Sequence, residues 1–262
     1  MMGWIGRKVG RCLKRPTSIA RDNLKTAFPL KSQGEIEAII TDMWDNLGRI
    51  LPDYAFFYSM NIYDAHRFEI KGQEHLQALI NDDKPGILVA GHLANWGIVS
   101  LATVQGGLPL TQIYRRFNNP VFDWFAQKTQ LQGGIKVLWK GAEGGKEAYK
   151  SLKNGEHLVI FIDQKMKEGI PVPFFGRDAM TAPAAARLAL KLNCPIVPVR
   201  VERLKGIKFR VTYYPPISIS SSNDTHQDIA TIMVQINKLL ESWIRESPGQ
   251  WLWVHNRWPK KK

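Results

Sequence analysis

Between residues 68 and 213, short apolar runs rich in β-branched residues alternate with amphipathic stretches. Each run has the length of one strand: Phe68–Ile70, Ile87–Ala90, Leu110–Tyr114, Ile135–Leu138, Leu158–Ile162, Ile196–Val201 and Phe209–Tyr213. Helical spacing of apolar residues is clearest around 119–131, 143–153 and 181–192. Strands that alternate with helices imply crossover connections. We therefore predict an α/β fold with a central mixed, largely parallel sheet flanked by helices.

Two longer helices are predicted outside this alternating region. Apolar residues recur three and four apart from Glu35 to Tyr54, and again from Ile229 to Ile244. We find no internal repeat and no long linker, and 262 residues can bury one large core. The sequence thus predicts a single domain at 23–258, preceded by a basic amphipathic segment at 1–22 and followed by a basic tail at 259–262.

The charge balance points to anionic partners. The chain has 36 Lys and Arg against 23 Asp and Glu, a net charge of +13. Such an excess suits nucleic acid, an anionic bilayer or phosphorylated substrates. A nucleic-acid binder calls for a recognition motif beside the charge, and none is evident, so we expect no nucleic-acid partner. The two cysteines, Cys12 and Cys194, have no metal-ligand spacing and form no disulfide framework, which favours a reducing compartment.

The first fifteen residues combine apolar and basic side chains. On a helix ending before Pro16 they give a narrow apolar stripe beside a basic face, formed by Trp4, Ile5, Val9 and Leu13 with Arg7, Lys8, Arg11, Lys14 and Arg15. This pattern is typical of a segment that lies on anionic lipid, and a frayed basic terminus is an equal alternative. No stretch approaches the 18 or more apolar residues of a membrane-spanning helix, so we expect none.

His92 follows the apolar run Ile87–Ala90 by two residues. Sites in open α/β sheets gather at the carboxyl ends of strands, and an imidazole there can act as a general base. A hydrogen-bonded packing histidine is the alternative. Asn95 is placed to cap or begin the following helix, whose N-terminal amides suit an anion or a developing oxyanion.

Other polar residues follow neighbouring strands. Arg115 and Arg116 come after the strand ending at Tyr114, where guanidinium groups can grip phosphate in bidentate fashion. Asp163 and Gln164 come after the strand Leu158–Ile162. The alternatives are a solvated arginine pair in the first case and a turn or cap in the second.

Five ordered stretches resemble a known family, the lipid A biosynthesis acyltransferases. These are the late lauroyl or myristoyl transferases of Gram-negative bacteria, within the wider lysophospholipid acyltransferase superfamily. The stretches are Gly91–Trp96, Tyr114–Pro120, Asp163–Gln164, Val172–Gly176 with Thr181, and Gln250–Trp258. The likeness runs in order from Asn23 to Trp258 and so covers nearly the whole chain.

The resemblance implies transfer of a fatty acyl group from an acyl carrier protein thioester to a hydroxyl of a phosphorylated lipid A precursor. It places the protein at the cytoplasmic face of the bacterial inner membrane, bound peripherally to an anionic membrane surface or through an anchor absent from this sequence, and it calls for no metal and no cofactor. His92 takes the role of general base. The implied substrate-binding residues are Asn95, Arg115, Arg116, Asp163, Gln164, Phe174, Phe175 and Arg177.

Two segments have both a functional and a packing interpretation. Pro171–Arg177 cannot continue a helix and is expected to form a fixed loop over the site. Its Phe174 and Phe175 are placed to border an acyl channel or to pack in the core, and Arg177 to meet phosphate or water. Trp251–Trp258 suits the headgroup level of a bilayer, and packing against the domain is at least as good an interpretation.

The sequence departs from the family pattern at Gly97. The pattern is a histidine, four residues, then Glu or Asp, and counting from His92 leads to Gly97. Loss of the carboxylate that orients a catalytic imidazole costs on the order of ten-thousand-fold in rate in serine proteases. Three explanations stay open: a substituted but active enzyme, a non-catalytic lipid-binding relative, or rescue by another carboxylate such as Asp163. We expect impairment ahead of rescue.

Overall fold

A computed structural model of the chain describes residues 2–114, 120–139, 141–219 and 222–258. The helices are α1 (Met2–Cys12), α2 (Lys14–Ala27), α3 (Gln33–Ala55), α4 (Gln73–Asn81), α5 (Gly97–Gln105), α6 (Pro120–Gln132), α7 (Ala142–Lys153), α8 (Ala184–Leu192) and α9 (Thr225–Glu246). The strands are β1 (Phe68–Lys71), β2 (Ile87–Ala90), β3 (Leu110–Tyr114), β4 (Lys136–Trp139), β5 (His157–Phe161), β6 (Lys165–Phe174), β7 (Arg177–Thr181), β8 (Ile196–Arg203) and β9 (Phe209–Tyr213).

Seven of these strands form the central sheet. Their order is β1-β9-β8-β2-β5-β3-β4, and every neighbouring pair is parallel except β8–β9. The prediction of a mixed, largely parallel sheet flanked by helices is therefore confirmed. All seven predicted strands are present, each within one or two residues of its predicted bounds. The strand order could not be predicted, and it is what decides which loops meet.

Both faces of the central sheet are covered, because alternate residues of each strand enter different cores. In β2, Ile87 and Val89 pack with α8 and α9, whereas Leu88 and Ala90 pack with α4 and α5. A strand buried on both faces is uniformly apolar, which explains the run Ile87–Ala90. All four of its residues are buried.

The prediction of a loop at 171–177 is wrong. These residues belong to an antiparallel hairpin, in which β6 pairs with β7 around a two-residue turn at Phe175 and Gly176. Both turn residues have positive φ, +52° and +71°, as a tight hairpin turn requires. Pro171 and Pro173 are tolerated because the hairpin has only two strands and each strand therefore has a free edge.

The N-terminal helices pack on α3 through small residues. Added side chains at Gly3, Gly6 and Gly10 of α1 would collide with Asp45, Gly48 and Trp44 of α3. The break between α1 and α2 lies at Leu13, so the first helix ends before Pro16, as predicted. Pro16 instead sits in the first turn of α2, where its missing N–H costs nothing.

The two longest helices match the sequence pattern. α3 begins with a capping box between Ser32 and Glu35, and α9 begins at Asp224, whose side chain accepts two backbone N–H groups. No helix among the described residues has the length and apolar character needed to cross a bilayer.

Candidate functional site

His92 and Asp163 meet at one edge of the sheet. β2 and β5 are adjacent and parallel, with Ala90 opposite Phe161, so the residues that follow each strand emerge side by side. His92 lies two residues beyond β2 and Asp163 two residues beyond β5. Parallel strand pairing thus brings together two residues that are 71 positions apart in sequence.

A carboxylate oxygen of Asp163 contacts the imidazole directly. Nδ1 of His92 is 2.7 Å from Oδ1 of Asp163, and the backbone N–H of His92 donates to Oδ2 over 2.7 Å. Because an ionised carboxylate only accepts, Nδ1 carries the proton and Nε2 is left free. Asp163 therefore reaches the His92 imidazole, as the explanation by rescue requires.

Asp163 is held entirely inside the protein and has no exposed surface. Its side chain contacts His92 and has no open face toward a substrate, so its place in the structure is that of a partner to the imidazole. The indole N–H of Trp251 donates to Oδ2 over 2.7 Å. Burial alone would raise the pKa of the Asp163 carboxyl, but the charge of the His92 imidazole and the hydrogen bonds from His92 hold that pKa below its ordinary value.

The imidazole itself is partly open. Its side chain is 15% exposed, and it lies between the rings of Trp96 and Phe161, whose centroids are 5.1 Å and 5.0 Å away. Nε2 is 3.4 Å from the side-chain nitrogen of Gln164. Nε2 is thus the ring nitrogen that does not contact the buried Asp163, and one amide lies beside it.

The backbone around His92 is fixed by distant residues. Ala94 has a positive φ of +49°, an unfavourable conformation for alanine. Its N–H donates to the carbonyl of Gln250 over 2.9 Å, and its carbonyl accepts from Asn46 over 3.1 Å. Leu252 donates its backbone N–H to the carbonyl of His92 over 3.1 Å. The C-terminal segment therefore shapes the loop that carries the histidine.

Gly97 starts α5 and lies in a crowded, buried place. A Cβ atom at this position would stand 3.0 Å from the Tyr54 hydroxyl, 3.0 Å from Phe57 and 3.4 Å from Oδ1 of Asn95. None of these three nearest atoms belongs to His92. Tyr54 and Phe57 stack with ring centroids 5.4 Å apart, and burial raises the pKa of Tyr54 to about 12. Aromatic packing occupies the space where the family pattern expects an acid.

Asn95 does not cap the helix. Trp96 occupies the cap position, and no side chain caps α5. The Asn95 side chain is fully buried and directs its amide nitrogen to Asp53, 3.5 Å away, which in turn pairs with Arg203 at 2.6 Å. The cap prediction is wrong because the chain enters α5 through Trp96, and Asn95 joins a buried polar network instead.

Phe174 and Phe175 take the packing alternative. Both are buried, at 0% and 6% exposure, within an aromatic cluster that also contains Phe28, Trp251, Trp253 and Trp258. The three tryptophans are buried as well. The C-terminal segment therefore packs against the domain rather than presenting these rings at the surface.

Of the three arginines predicted to bind phosphate, one lies away from His92 and two lie outside the described residues. Arg177 is partly exposed at the start of β7, 3.5 Å from the Thr26 hydroxyl, and does not contact the His92 site. Arg115 and Arg116 lie outside the described residues. Across the ranges that the structure describes, no three His, Cys, Asp or Glu side chains cluster as metal ligands would.

Two residues that hold the His92–Asp163 pair in place were not predicted from the sequence. Trp251 bonds the carboxylate, and His255 places Nε2 3.2 Å from the backbone carbonyl of Asp163. Burial lowers the pKa of His255. Both residues fall in the Trp-rich stretch that carried the resemblance, but their contacts span 88 and 92 positions and no local pattern reveals them.

Comparison with known proteins identifies the family. The profile described as bacterial lipid A biosynthesis acyltransferase matches residues 1–260. Among relatives from Escherichia coli (strain K12), the lipid A biosynthesis lauroyltransferase is 27% identical over 97% of this chain and 82% of its own. The palmitoleoyltransferase is 25% identical, over 97% and 83%.

A third relative and a solved structure are also similar to this chain. The lipid A biosynthesis myristoyltransferase of the same strain is 23% identical over 95% of this chain and 77% of its own. The crystal structure of the 1-acyl-sn-glycerophosphate (LPA) acyltransferase, PlsC, from Thermotoga maritima covers 90% of this chain and 98% of its own, at 14% identity and a TM-score of 0.40. Because the family profile spans nearly the whole sequence, the predicted resemblance is confirmed, and this chain belongs to the bacterial lipid A biosynthesis acyltransferases, a family of O-acyltransferases.

Proposed function

We propose that this protein transfers a fatty acyl group from an acyl carrier protein thioester to a hydroxyl of a phosphorylated lipid A precursor, with His92 as general base. The observation that carries the proposal is the 2.7 Å contact between Nδ1 of His92 and Oδ1 of Asp163. It leaves Nε2 unprotonated at the open edge, which is the state a base needs. Asp163 takes the orienting role that the family pattern assigns to position 97.

The reaction follows from this protonation state. Nε2 removes the proton of the acceptor hydroxyl while its oxygen attacks the thioester carbonyl carbon. The imidazolium that forms faces the Asp163 carboxylate, which stabilises its positive charge. Collapse of the tetrahedral intermediate breaks the carbon–sulfur bond, and the imidazolium returns its proton to the departing thiolate. Gln164, whose amide is 3.4 Å from Nε2, is placed to orient the attacking hydroxyl.

The proposal is tested by acyl transfer with purified protein. Acyl carrier protein loaded with a fatty acid and a phosphorylated lipid A precursor are the substrates, and acyl coenzyme A replaces the carrier protein in a parallel reaction. His92→Ala should fall to the uncatalysed background, whereas His66→Ala, which changes an exposed histidine, should keep the wild-type rate. Saturable precursor binding by the wild type without any turnover would instead establish the non-catalytic lipid-binding alternative.

We further propose that α1 attaches the protein to an anionic bilayer at the cytoplasmic face of the inner membrane. Its glycines face α3, so its largest apolar side chains point outward: Trp4 is 56% exposed and Val9 is 51% exposed. No acidic residue precedes Asp22 in the sequence, whereas six Lys and Arg do. An outward apolar stripe flanked by cations is the surface that an interfacial helix presents to anionic lipid.

Vesicle sedimentation tests this attachment. The protein should bind vesicles containing phosphatidylglycerol more tightly than vesicles of phosphatidylcholine alone. A Trp4→Ser, Val9→Ser double variant should lose most of this binding, whereas Ile207→Ser, which changes an apolar residue that is 66% exposed elsewhere, should not. Equal binding by the double variant and the wild type would exclude α1 as the attachment.

A further inference from the structure

Trp251 makes an unusual hydrogen bond for a buried tryptophan. Its side chain is fully buried, and its indole N–H donates to Oδ2 of Asp163 over 2.7 Å. Buried indoles need an acceptor, and a backbone carbonyl is sufficient for that purpose. Here the acceptor is the carboxylate of Asp163, which also contacts the His92 imidazole.

The two carboxylate oxygens of Asp163 have separate partners. Oδ2 accepts from the backbone N–H of His92 and from Trp251, and Oδ1 alone faces Nδ1 of the imidazole. The backbone N–H belongs to a loop, whereas the indole belongs to a rigid ring packed against Trp253, with centroids 4.5 Å apart, and against Phe174 at 5.9 Å. The donor that best resists rotation of the carboxylate is therefore the indole.

The segment that carries Trp251 is also tied to the histidine loop. Leu93 and Trp251 form an isolated antiparallel bridge, and the N–H of Leu252 donates to the carbonyl of His92. Base, acid and indole are thus held in one hydrogen-bonded unit.

We propose that Trp251 is a positioning residue for the acid–base pair. Its indole N–H fixes the plane of the Asp163 carboxylate so that Oδ1 stays in line with Nδ1 of His92. This inference rests on the proposed role of His92 as the general base. It assigns to Trp251 a function beyond filling the core.

Trp253 provides a matched control within the same cluster. It is also fully buried, and its indole N–H donates over the same 2.7 Å distance, but to the carbonyl of Pro248. Phenylalanine at either position removes one indole bond and leaves an aromatic ring in the cluster. The two variants therefore differ chiefly in whether the lost bond touched Asp163.

Steady-state kinetics and thermal unfolding of both variants form the first test. Trp251→Phe should lower kcat by about 10- to 100-fold with KM unchanged, since a hydrogen bond to a charged group is lost in the transition state. Its kcat/KM–pH profile should also move, because the carboxylate charge facing the base changes. Trp253→Phe should keep kcat and the pH profile while losing a similar amount of thermal stability. Equal kcat values for the two variants would overturn the proposal.

A double-mutant cycle separates positioning from general destabilisation. If Trp251 acts through Asp163, then Trp251→Phe should have almost no further effect on kcat in an Asp163→Asn background. Independent, multiplicative losses would show that the indole acts elsewhere and would overturn the proposal.

A spectroscopic test needs no activity, so it distinguishes failure of this inference from failure of the proposed function. The protein is labelled with ¹⁵N at the indoles, and the Trp251 resonance is assigned by its disappearance in Trp251→Phe. This resonance should titrate with the same midpoint as the His92 ring, and it should shift in Asp163→Asn. The Trp253 resonance should do neither. A Trp251 resonance insensitive to both changes would refute the positioning role, even if acyl transfer is observed.

Discussion

Replacing Asp163 with asparagine exchanges one oxygen for an NH₂ group, and the structure predicts which way the new side chain turns. Two donors, the backbone N–H of His92 and the indole of Trp251, converge on Oδ2. If the asparagine oxygen takes that place, both bonds survive. If the NH₂ group takes it, two buried donors lose their acceptor at about 1–3 kcal/mol each. The oxygen should therefore stay at the Oδ2 position.

This orientation puts the NH₂ group against Nδ1 of His92. Nδ1 must then accept a hydrogen bond, and the ring proton moves to Nε2. A protonated Nε2 cannot remove a proton from the acceptor hydroxyl. The same tautomer error in serine proteases costs about ten-thousand-fold in kcat, equivalent to about 5 kcal/mol of activation free energy, and we expect a loss of that order here.

Acyl transfer and thermal unfolding measured on the same preparations check this prediction. Asp163→Asn should remain folded because it keeps the size of the side chain, keeps two of the three hydrogen bonds unchanged and only reverses the direction of the third. Asp228→Asn is the control: Asp228 is buried in α9, its carboxylate accepts from the backbone N–H of Ser222, and its loss should leave kcat unchanged. The tautomer reasoning is wrong if Asp163→Asn retains more than about a tenth of the wild-type kcat.

Three further predictions follow from other parts of the structure. Gly97→Glu should not increase kcat and should lower the free energy of unfolding by about 1–3 kcal/mol, because its Cβ would stand 3.0 Å from a ring carbon of Phe57 and 3.0 Å from the Tyr54 hydroxyl; a faster variant in the acyl-transfer assay would contradict this. Burial lowers the folded-state pKa of His255. On acidification the unfolded chain therefore takes up a proton at this residue before the folded chain does, and stability is lost as pH falls below about 6.5. Melts between pH 7.5 and 5.5 should therefore show a smaller loss for His255→Gln than for the wild type, whereas exposed His226→Gln should match the wild type. Gly6→Leu should separate α1 from α3, seen as faster proteolysis near the N-terminus, because its side chain has no room against the α3 backbone; an unchanged digestion pattern would refute that packing.

The sheet was predictable because its strands carry local signals. Uniformly apolar runs such as Ile87–Ala90 mark strands buried on both faces. α5 was expected only from its place after Asn95, since a helix buried on nearly all sides has no polar stripe to reveal its period. The hairpin of β6 and β7 was mistaken for a loop because its prolines usually interrupt strands.

The histidine was predictable, whereas its partner Asp163 could be named only as one of three open explanations. His92 follows a recognisable strand, and the family pattern of a histidine, four residues and an acid predicted its partner at position 97. The true contact, with Asp163, depends on β2 and β5 being neighbours, and strand order is not written in local periodicity. The same limit applies to Trp251, which reaches the carboxylate through a bridge to Leu93.

The bridge between Leu93 and Trp251 also has a consequence for biosynthesis. The loop bearing the base takes its bonds from Gln250, Trp251 and Leu252, so a nascent chain that has not yet reached them has strands and helices but no assembled acid–base pair. On the proposed mechanism, acyl transfer would begin only after translation has passed this segment. A ribosome-stalled or prematurely terminated product that lacks Gln250, Trp251 and Leu252 would be inactive.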